Sequence, residues 1–413
     1  MKVRSGGKRR RLHRTKKLRL RRRLRLAKPF CALPGGAAAA DTWPGAPGMN
    51  IIGYHRAETG LGESCRMLAQ GLQTTPIPFA MLHVQEGNSA RMSDRRWDHK
   101  EAPHPLFRMN VFHLQPDSFH FAIRQLGTEV LQGRFNIGYW HWDLPDLPDH
   151  IHPHFKHLHE VWVPSHFALD AVSRSSPVPV VRIPVPVHVG IPFTQDRTYF
   201  RLPEKSFLFL CTSDIRSSEK ARLNPQGAIR AFQQAFSPHD SNVGLVVKMN
   251  GLDAGTGERD QIKQHLKGWP NIYVLDKTLG RSEFNALLHV CNAVISLHRS
   301  ESVGLTLAEA MYIGKPVIGT NWSANTDFMN NSNSCPVHYE EIPVGQDIGP
   351  YQAHQRWADP DIEHAAHFMR RLQRETEWRK EIAAKGQITI RTRYSPEVCG
   401  LLAMNRLVRL GLW

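Results

Sequence analysis

The chain has 413 residues, 41% of them hydrophobic and 22% charged, with a formal net charge of +16. This length suits two domains of ordinary size, and because no apolar run reaches the length of a membrane span, we expect no transmembrane helix. The six cysteines are scattered without a C-x-x-C pair or a zinc-type spacing. This pattern favours free thiols and a cytoplasmic protein.

The positive charge is concentrated at the amino terminus. Residues 1–28 hold 15 lysines and arginines and no acidic residue, which leaves a net charge of +2 for residues 49–413. We predict that residues 1–48 are a disordered basic tail followed by a Pro/Gly/Ala linker, with Met49 as a candidate physiological start. Such tracts bind polyanions without sequence preference and adhere to anionic membrane faces. We favour peripheral contact with the inner face of the cell membrane over nucleic-acid binding.

Residues 49–195 predict a first α/β domain. Apolar segments beginning at residues 50, 110, 135 and 160 indicate strands, and the helical stretches between them indicate a parallel sheet. Gly60 and Gly62 stand in the loop that enters the first helix, where they would let a ligand approach the backbone closely. His141 lies at the carboxyl end of its strand.

A second α/β domain is predicted for residues 196–385, after a Pro/Val-rich linker at residues 176–195. Ser282 is predicted to cap one of its helices. Long helices follow, and residues 386–413 form a closing amphipathic segment. Further strands are expected to begin at residues 207, 244 and 271.

The most informative stretch is AVISLHRSESVGLTLAEAMYIGKPVIGT, residues 293–320. Its pattern predicts a strand, a polar loop, a helix with Thr306 as a first-turn cap and Gly314 as its αL terminator, and another strand. Glu301 lies in the loop at the carboxyl end of the first strand, where open α/β sheets bind ligands. Glu309 lies one turn into the helix. An anion at the helix start would sit between these two carboxylates.

This stretch resembles the E-x7-E signature of the family-4 retaining glycosyltransferases, which have the GT-B fold. The resemblance implies an α/β architecture of two Rossmann-like domains facing a central cleft, with a C-terminal helix that crosses back to the first domain. It also implies that Glu301 contacts the sugar of a nucleotide-sugar donor and that Glu309 contacts its ribose. Donor contacts are expected along the helix start, at Ser302, Val303, Gly304, Leu305 and Thr306.

The same resemblance assigns roles elsewhere. Gly60 and Gly62 would face the donor phosphates and reacting sugar, and His141 would lie near the reaction centre. Trp140 and Trp142 would stack on a sugar or acceptor face. Cations that would clamp the diphosphate or face the donor are Arg216, Lys220 and Lys248. The family usually has a lysine at the position of Leu223, so Lys220 or Arg222 is expected to substitute for it.

We therefore predict a metal-independent, retaining glycosyltransferase that uses no cofactor. It would move a sugar from a UDP- or GDP-linked donor to a glycan, lipid-linked or other acceptor in surface polysaccharide or glycoconjugate biosynthesis. Two alternatives stay open at this point. One is another GT-B activity, a phosphorylase or nucleotide-sugar epimerase, and the other is a non-catalytic polyanion-binding protein that acts through its basic tail.

Overall fold

The structure is a computed structural model that describes residues 43–191, 195–214, 217–250, 264 and 266–413. Within these residues there are two parallel six-stranded sheets, and each sheet forms the centre of one α/β domain. The predicted fold class is therefore confirmed. Most of the predicted tail lies outside the described residues, and the first strand begins at Ala46, ahead of Met49.

The first domain contains the sheet with strand order β2-β1-β3-β4-β5-β6. Two of its strands, β2 and β6, are missing from the sequence prediction, because both are short and β6 lies inside the Pro/Val-rich stretch. The elements are β1 (Ala46–Gly53), α1 (Gly60–Gln73), β2 (Phe79–His83), β3 (Phe107–Leu114), α2 (Phe119–Leu126), β4 (Phe135–Trp140), β5 (Glu160–Val163), α3 (His166–Ser173) and β6 (Val180–Arg182).

The second domain contains the sheet with strand order β12-β11-β10-β7-β8-β9. Its elements are β7 (Phe207–Asp214), α4 (Ser217–Leu223), α5 (Pro225–Ala235), β8 (Val243–Asn250), β9 (Ile272–Leu275), α6 (Arg281–Val290), β10 (Ala293–Ser296), α7 (Leu305–Tyr312), β11 (Val317–Thr320), β12 (Cys335–Val337), β13 (Tyr339–Pro343), β14 (Arg356–Pro360), α8 (Ile362–Arg374), α9 (Thr376–Arg393) and α10 (Pro396–Arg409). The central strands are apolar and buried, as expected for parallel strands covered by helices on both faces.

The strand order of each sheet predicts where its ligand-binding crevice lies. In an open α/β sheet, ligands bind beyond the carboxyl ends of the strands, where the strand order reverses. The order reverses between β1 and β3 in the first sheet and between β7 and β10 in the second. The loops after these four strands are therefore the ones expected to form the functional cleft.

The C-terminal helix crosses back to the first domain, as predicted. A β-carbon on Gly400 of α10 would lie 2.1 Å from the carbonyl oxygen of Gly71 on α1, so the two helices pack backbone to backbone. The crossing occurs at Ser395, which caps α10, and Pro396, its first residue. The predicted boundary at residue 386 lies instead inside α9, because no helix-breaking pair occurs there.

The predicted linker is also partly incorporated into the fold. Residues 180–182 form β6, and the chain beyond them is largely buried as far as residue 189. The amide of Val187 donates to the carbonyl oxygen of Tyr394 at 2.7 Å. This part of the linker therefore packs beside the C-terminal crossing instead of running free between the domains.

A hairpin that the sequence did not reveal joins the domains on the other side. Strands β13 and β14 form a two-stranded antiparallel sheet in the second domain. Tyr351 lies in the connection between them and is buried in the core cluster of the first domain, together with Trp357. The hairpin therefore fixes the first domain against the second.

Helices of the described residues are too short or too polar for one to cross a bilayer. The five cysteines within the described residues are buried and unpaired.

Candidate functional site

A cleft with a volume of about 590 Å³ lies between the two domains. Its walls come from the loops after β1, β2, β3 and β4 of the first domain and after β7 and β10 of the second. These include all four loops at the points where strand order reverses. The cleft is thus the expected ligand site of both sheets.

The segment between β10 and α7 forms the floor of this cleft. Ser302, Val303, Gly304, Leu305 and Thr306 all line it. Gly304 has a left-handed backbone (φ +73°) and occupies the cap position without a side-chain hydrogen bond. The prediction that Thr306 is a first-turn cap is wrong, because Thr306 lies inside the helix. The first amides of α7 therefore lack a side-chain cap at a surface that faces the cleft.

Glu301 lines the cleft and is held by Arg222. The Arg222 Nη1 atom donates to Oε2 of Glu301 at 3.0 Å, and the Glu301 side chain is 18% exposed. Burial raises the pKa of Glu301 above its ordinary value, although the Arg222 charge opposes this shift. Glu301 thus presents a partly exposed, cation-paired carboxylate to any ligand in the cleft.

Glu309 lines the same cleft further along α7. Its side chain is only 1% exposed, and Arg281 Nη2 donates to its Oε1 atom at 2.5 Å. Burial raises the pKa of Glu309, with the Arg281 charge opposing. The two signature carboxylates therefore share one cleft, and each is paired with a different arginine.

His141 is buried at the carboxyl end of β4 and reaches the cleft. Its Nε2 atom lies 3.1 Å from the Ser64 hydroxyl, and that hydroxyl lies 3.0 Å from Nε2 of His113. The Nδ1 atom of His141 lies 3.4 Å from the hydroxyl of Ser302. Burial lowers the pKa of His141 to about 4, so the imidazole is neutral near pH 7.

Asp143 connects the first domain to the floor of the cleft. Its Oδ1 atom accepts from the backbone amide of Ser302 at 2.9 Å, and its Oδ2 atom accepts from the Tyr351 hydroxyl at 2.9 Å. Arg222 Nη1 lies 3.5 Å from Oδ1. Asp143 therefore anchors the Glu301 loop and the hairpin at the same point.

The two glycines of the first loop have different surroundings. A β-carbon on Gly60 would meet nothing within 4 Å, whereas one on Gly62 would lie 2.2 Å from the Ala57 carbonyl oxygen. Gly60 lines the cleft. Close approach of a ligand is therefore open at Gly60, while Gly62 accommodates the chain's own backbone.

The predicted cations are distributed unevenly. Arg216 lies outside the described residues, and Lys220 lines a separate hollow with Ile229 and Leu266. Arg222 and Lys248 both line the main cleft, where Lys248 donates to the amide oxygen of Asn250. Of the two cations expected to substitute for the lysine at Leu223, Arg222 therefore lines the main cleft and Lys220 lines a different hollow. The donor contacts of both stay predictions.

The aromatic residues that flank His141 are not available to a ligand. Trp140 is fully buried against Phe155, and the buried indole of Trp142 donates to the carbonyl oxygen of Asp146 at 2.9 Å. The prediction that they stack on a sugar or acceptor is wrong, because both rings belong to the core of the first domain. Ser282 likewise does not cap α6, since the cap position is Gly280 and the Glu283 carboxylate accepts from its amide at 3.0 Å.

Several cleft residues escaped sequence analysis. Arg281, Glu63 and Ser64 line the cleft, but each stands in a helix as an ordinary polar residue, and only the meeting of distant elements reveals its contacts. Arg281 at the start of a helix was the strongest available signal, because a cation there is unfavourable beside the helix dipole.

Among the described residues, no three His, Cys, Asp or Glu side chains are arranged to hold a metal ion.

Comparison with known proteins concerns the family and the fold. Residues 221–341 match the model of the family described as glycosyl transferases group 1. Direct sequence comparison with curated proteins gives no match.

Solved structures with a similar fold include two that the chain matches over nearly their full length. Sucrose-phosphate synthase from Thermosynechococcus elongatus superposes with a TM-score of 0.62 at 12% identity, over 88% of this chain and 98% of that one. HepE from Anabaena, in complex with UDP and glucose, gives a TM-score of 0.58 at 13% identity, over 88% and 100%.

A third similar structure is considerably longer than this chain. It is a variant of TarM from S. aureus in complex with fondaparinux, alpha-GlcNAc-glycerol and UDP, with a TM-score of 0.50 at 15% identity. The superposition covers 73% of this chain, which spans only 55% of TarM.

The chain therefore has the fold of the GT-B glycosyltransferases, and its second domain carries a segment that matches the model of the group 1 family. The resemblance stated from the sequence is confirmed at this level. Membership of the retaining family 4 stays a prediction.

Proposed function

We propose that the protein is a glycosyltransferase that moves a sugar from a UDP- or GDP-linked donor to a hydroxyl group of an acceptor. The observation that carries this proposal is the placement of Glu301 and Glu309 in one interdomain cleft, on either side of an uncapped helix start. A nucleotide-sugar has a sugar at one end of a diphosphate and a ribose at the other. Glu301, the start of α7 and Glu309 match the sugar, the diphosphate and the ribose in that order.

In this assignment Glu301 accepts hydrogen bonds from the transferred sugar and Glu309 accepts them from the ribose. The diphosphate lies at the start of α7, near the cations Arg222 and Lys248. As the bond between the anomeric carbon and the diphosphate oxygen breaks, negative charge grows on that oxygen. Fixed amides and cations aimed at such charge lower the barrier. UDP in the solved complexes of HepE and TarM supports a UDP-linked donor.

His141 acts in this proposal as a neutral hydrogen-bonding group near the transferred sugar. Its burial keeps the imidazole uncharged, so it can orient a sugar hydroxyl without repelling the cations of the cleft. Retention of configuration and independence from a metal are parts of the proposal that follow from the resemblance.

The acceptor is proposed to be a glycan. The first-domain side of the cleft carries neutral polar groups from the loops after β2 and β3, namely Asn88, Ser89, Gln115 and Ser118. Amides and hydroxyls of this kind suit the hydroxyls of a carbohydrate. The most exposed large apolar side chains, such as Leu106 and Leu401, lie outside the cleft.

The basic segment at residues 1–28 is proposed to hold the enzyme at an anionic membrane surface. Each charge near such a surface contributes about 1 kcal/mol. This location suits synthesis of surface polysaccharide or glycoconjugate by a cytoplasmic enzyme.

The test combines donor binding with a substitution at Glu301. Thermal unfolding of the full chain with UDP-glucose, UDP-GlcNAc and GDP-mannose should show stabilisation by the true donor, because a ligand at 100 times its Kd contributes about 2.7 kcal/mol. With that donor, Glu301→Gln should lower kcat by about 10²–10³. Glu340→Gln, at an exposed position, is the control and should keep wild-type turnover.

Two results would contradict the proposal. Wild-type turnover in folded Glu301→Gln would show that Glu301 has no part in the reaction. Binding of polyanions but of no nucleotide-sugar, with polyanion binding lost when the chain begins at Trp43, would favour the non-catalytic alternative. Product analysis with an added glycan separates transfer from phosphorolysis and epimerisation.

A further inference from the structure

An arginine joins the two domains at the Glu309 end of the cleft. Arg281 is the first residue of α6 in the second domain. Its Nη2 atom donates to Oε1 of Glu309 at 2.5 Å, and its Nε atom lies 3.3 Å from Oε1 of Glu63. Glu63 belongs to α1 of the first domain, so the acid–arginine–acid chain crosses the cleft.

All three side chains are withdrawn from water, with exposures of 6% for Glu63, 14% for Arg281 and 1% for Glu309. An ion pair at this depth is screened little by salt, and each group costs several kcal/mol to desolvate unless it keeps a partner. Glu309 therefore depends on Arg281 to remain a carboxylate in a fixed orientation.

Glu63 is itself firmly placed in the first domain. Arg66 donates from Nε to Oε2 of Glu63 at 2.8 Å, and Arg96 also donates to this carboxylate. Burial alone would raise the pKa of Glu63, but Arg281, Arg66 and Arg96 together lower it to about 2. The carboxylate is thus a permanent anion that can hold Arg281 from the opposite wall.

Resting on the proposed function, we propose that Arg281 is a positioning residue that orients Glu309 for the ribose of the donor. Glu63 holds Arg281 from across the cleft. The nucleoside end of the donor site is then complete only while the two domains are closed on each other.

The test measures UDP and GDP binding to the full chain by isothermal titration calorimetry. With the nucleotide that wild type binds, Arg281→Gln should raise Kd on the order of tenfold. Glu63→Gln should raise Kd less, since the Arg281–Glu309 pair survives. The double variant should match Arg281→Gln alone, because Glu63 acts through Arg281.

The control is Arg370→Gln, which removes an arginine that pairs with Glu363 on α8, outside the cleft. It should bind nucleotide as wild type does, and thermal unfolding should show all variants folded.

The pH dependence of nucleotide affinity distinguishes a positioning role of Arg281 from a merely structural one. The charged groups facing Glu309 are Arg281 of α6, Glu63 of α1 and Arg96 of the loop after β2. Without the Arg281 charge, Glu309 takes up a proton at higher pH, so the midpoint at which nucleotide affinity falls on acidification should move upward in Arg281→Gln.

Unchanged Kd in Arg281→Gln, additive effects in the double variant, or equal losses in Arg370→Gln and Glu63→Gln would each overturn the positioning role. These outcomes leave the proposed function standing. Failure of wild type to bind any nucleoside diphosphate would overturn both.

Discussion

Glu309 and His141 show how burial sets the charge of individual residues in this cleft. A carboxylate removed from water stays ionised only beside a cation, and Arg281 supplies one to Glu309. Burial lowers the pKa of His141 to about 4 and leaves it neutral near pH 7, although the Asp143 charge opposes this shift. Burial disfavours the charged form of both groups, and at Glu309 the Arg281 charge opposes this effect.

The neutral state of His141 predicts a pH-dependent stability. Its folded pKa of about 4 lies below the ordinary value of 6.5, so the unfolded chain binds a proton that the folded chain does not. The stabilisation is present above pH 6.5 and is lost as pH falls towards 4, by about 3 kcal/mol in total. In His141→Gln, the free energy of unfolding should therefore fall less between these pH values.

Denaturant titrations at several pH values measure this difference. Glu301 and Glu309 have raised pKa values and act in the opposite direction, but they are common to both proteins and cancel in the comparison. His188→Gln, at an exposed position, is the control and should keep the wild-type pH dependence. An identical dependence in His141→Gln would contradict the buried, neutral state.

At the scale of elements, the loop from β1 to α1 contains two glycines, Gly60 and Gly62, that serve different purposes. Gly62 lets α1 pack against the turn below it, whereas Gly60 leaves its side of the cleft open. Their spacing in the sequence does not distinguish these roles. The start of α7 shows a related feature, because Gly304 adopts a left-handed conformation and leaves the helix amides to the cleft.

Alanine at the two positions should therefore have different effects. Gly62→Ala places a methyl group 2.2 Å from the Ala57 carbonyl oxygen and should lower the free energy of unfolding by about 1–3 kcal/mol. Gly60→Ala meets no atom and should leave stability unchanged, while raising KM for the donor. Denaturant unfolding and donor-dependent kinetics measure the pair. Equal destabilisation by both substitutions would show that the loop is packed differently.

At the scale of the whole molecule, contacts between the two domains in the described part of the chain include those of the C-terminal helix, the hairpin β13–β14 and the ion pairs across the cleft. The helix contact is close backbone packing at Gly71 and Gly400. The hairpin contact depends on Tyr351, which is buried among aromatic and aliphatic residues of the first domain. The cleft is therefore a fixed feature of the closed molecule, with its walls defined by both domains.

The hydrogen bond from Tyr351 to Asp143 predicts a measurable interdomain contribution. Tyr351→Phe removes the donor to a buried carboxylate oxygen, so the free energy of unfolding should fall by about 1–3 kcal/mol. Tyr199→Phe makes the same change at an exposed tyrosine that donates to Glu283. The loss there should be smaller than about 1 kcal/mol, because water replaces the missing partner. Equal losses would indicate that Tyr351 does not stabilise the interface.

The sequence by itself determined the alternation of strands and helices, and from it two parallel sheets and the position of the E-x7-E segment. These depend on local periodicity, which is visible without coordinates, whereas the predicted caps Ser282 and Thr306 are both wrong. Glu301, Glu309, His141, Gly60 and Lys248 all lie in the cleft for the same reason, because the carboxyl ends of parallel strands meet at one edge.

Only the tertiary structure decided which groups these residues meet. Arg281 reaches Glu63 and Glu309, and Tyr351 reaches Asp143, across separations that no periodicity encodes. Trp140 and Trp142 were misassigned because an aromatic residue beside a ligand and one in a core have the same sequence signature. Side-chain partners depend on how the two domains pack together, and that packing is settled by contacts summed over the whole interface.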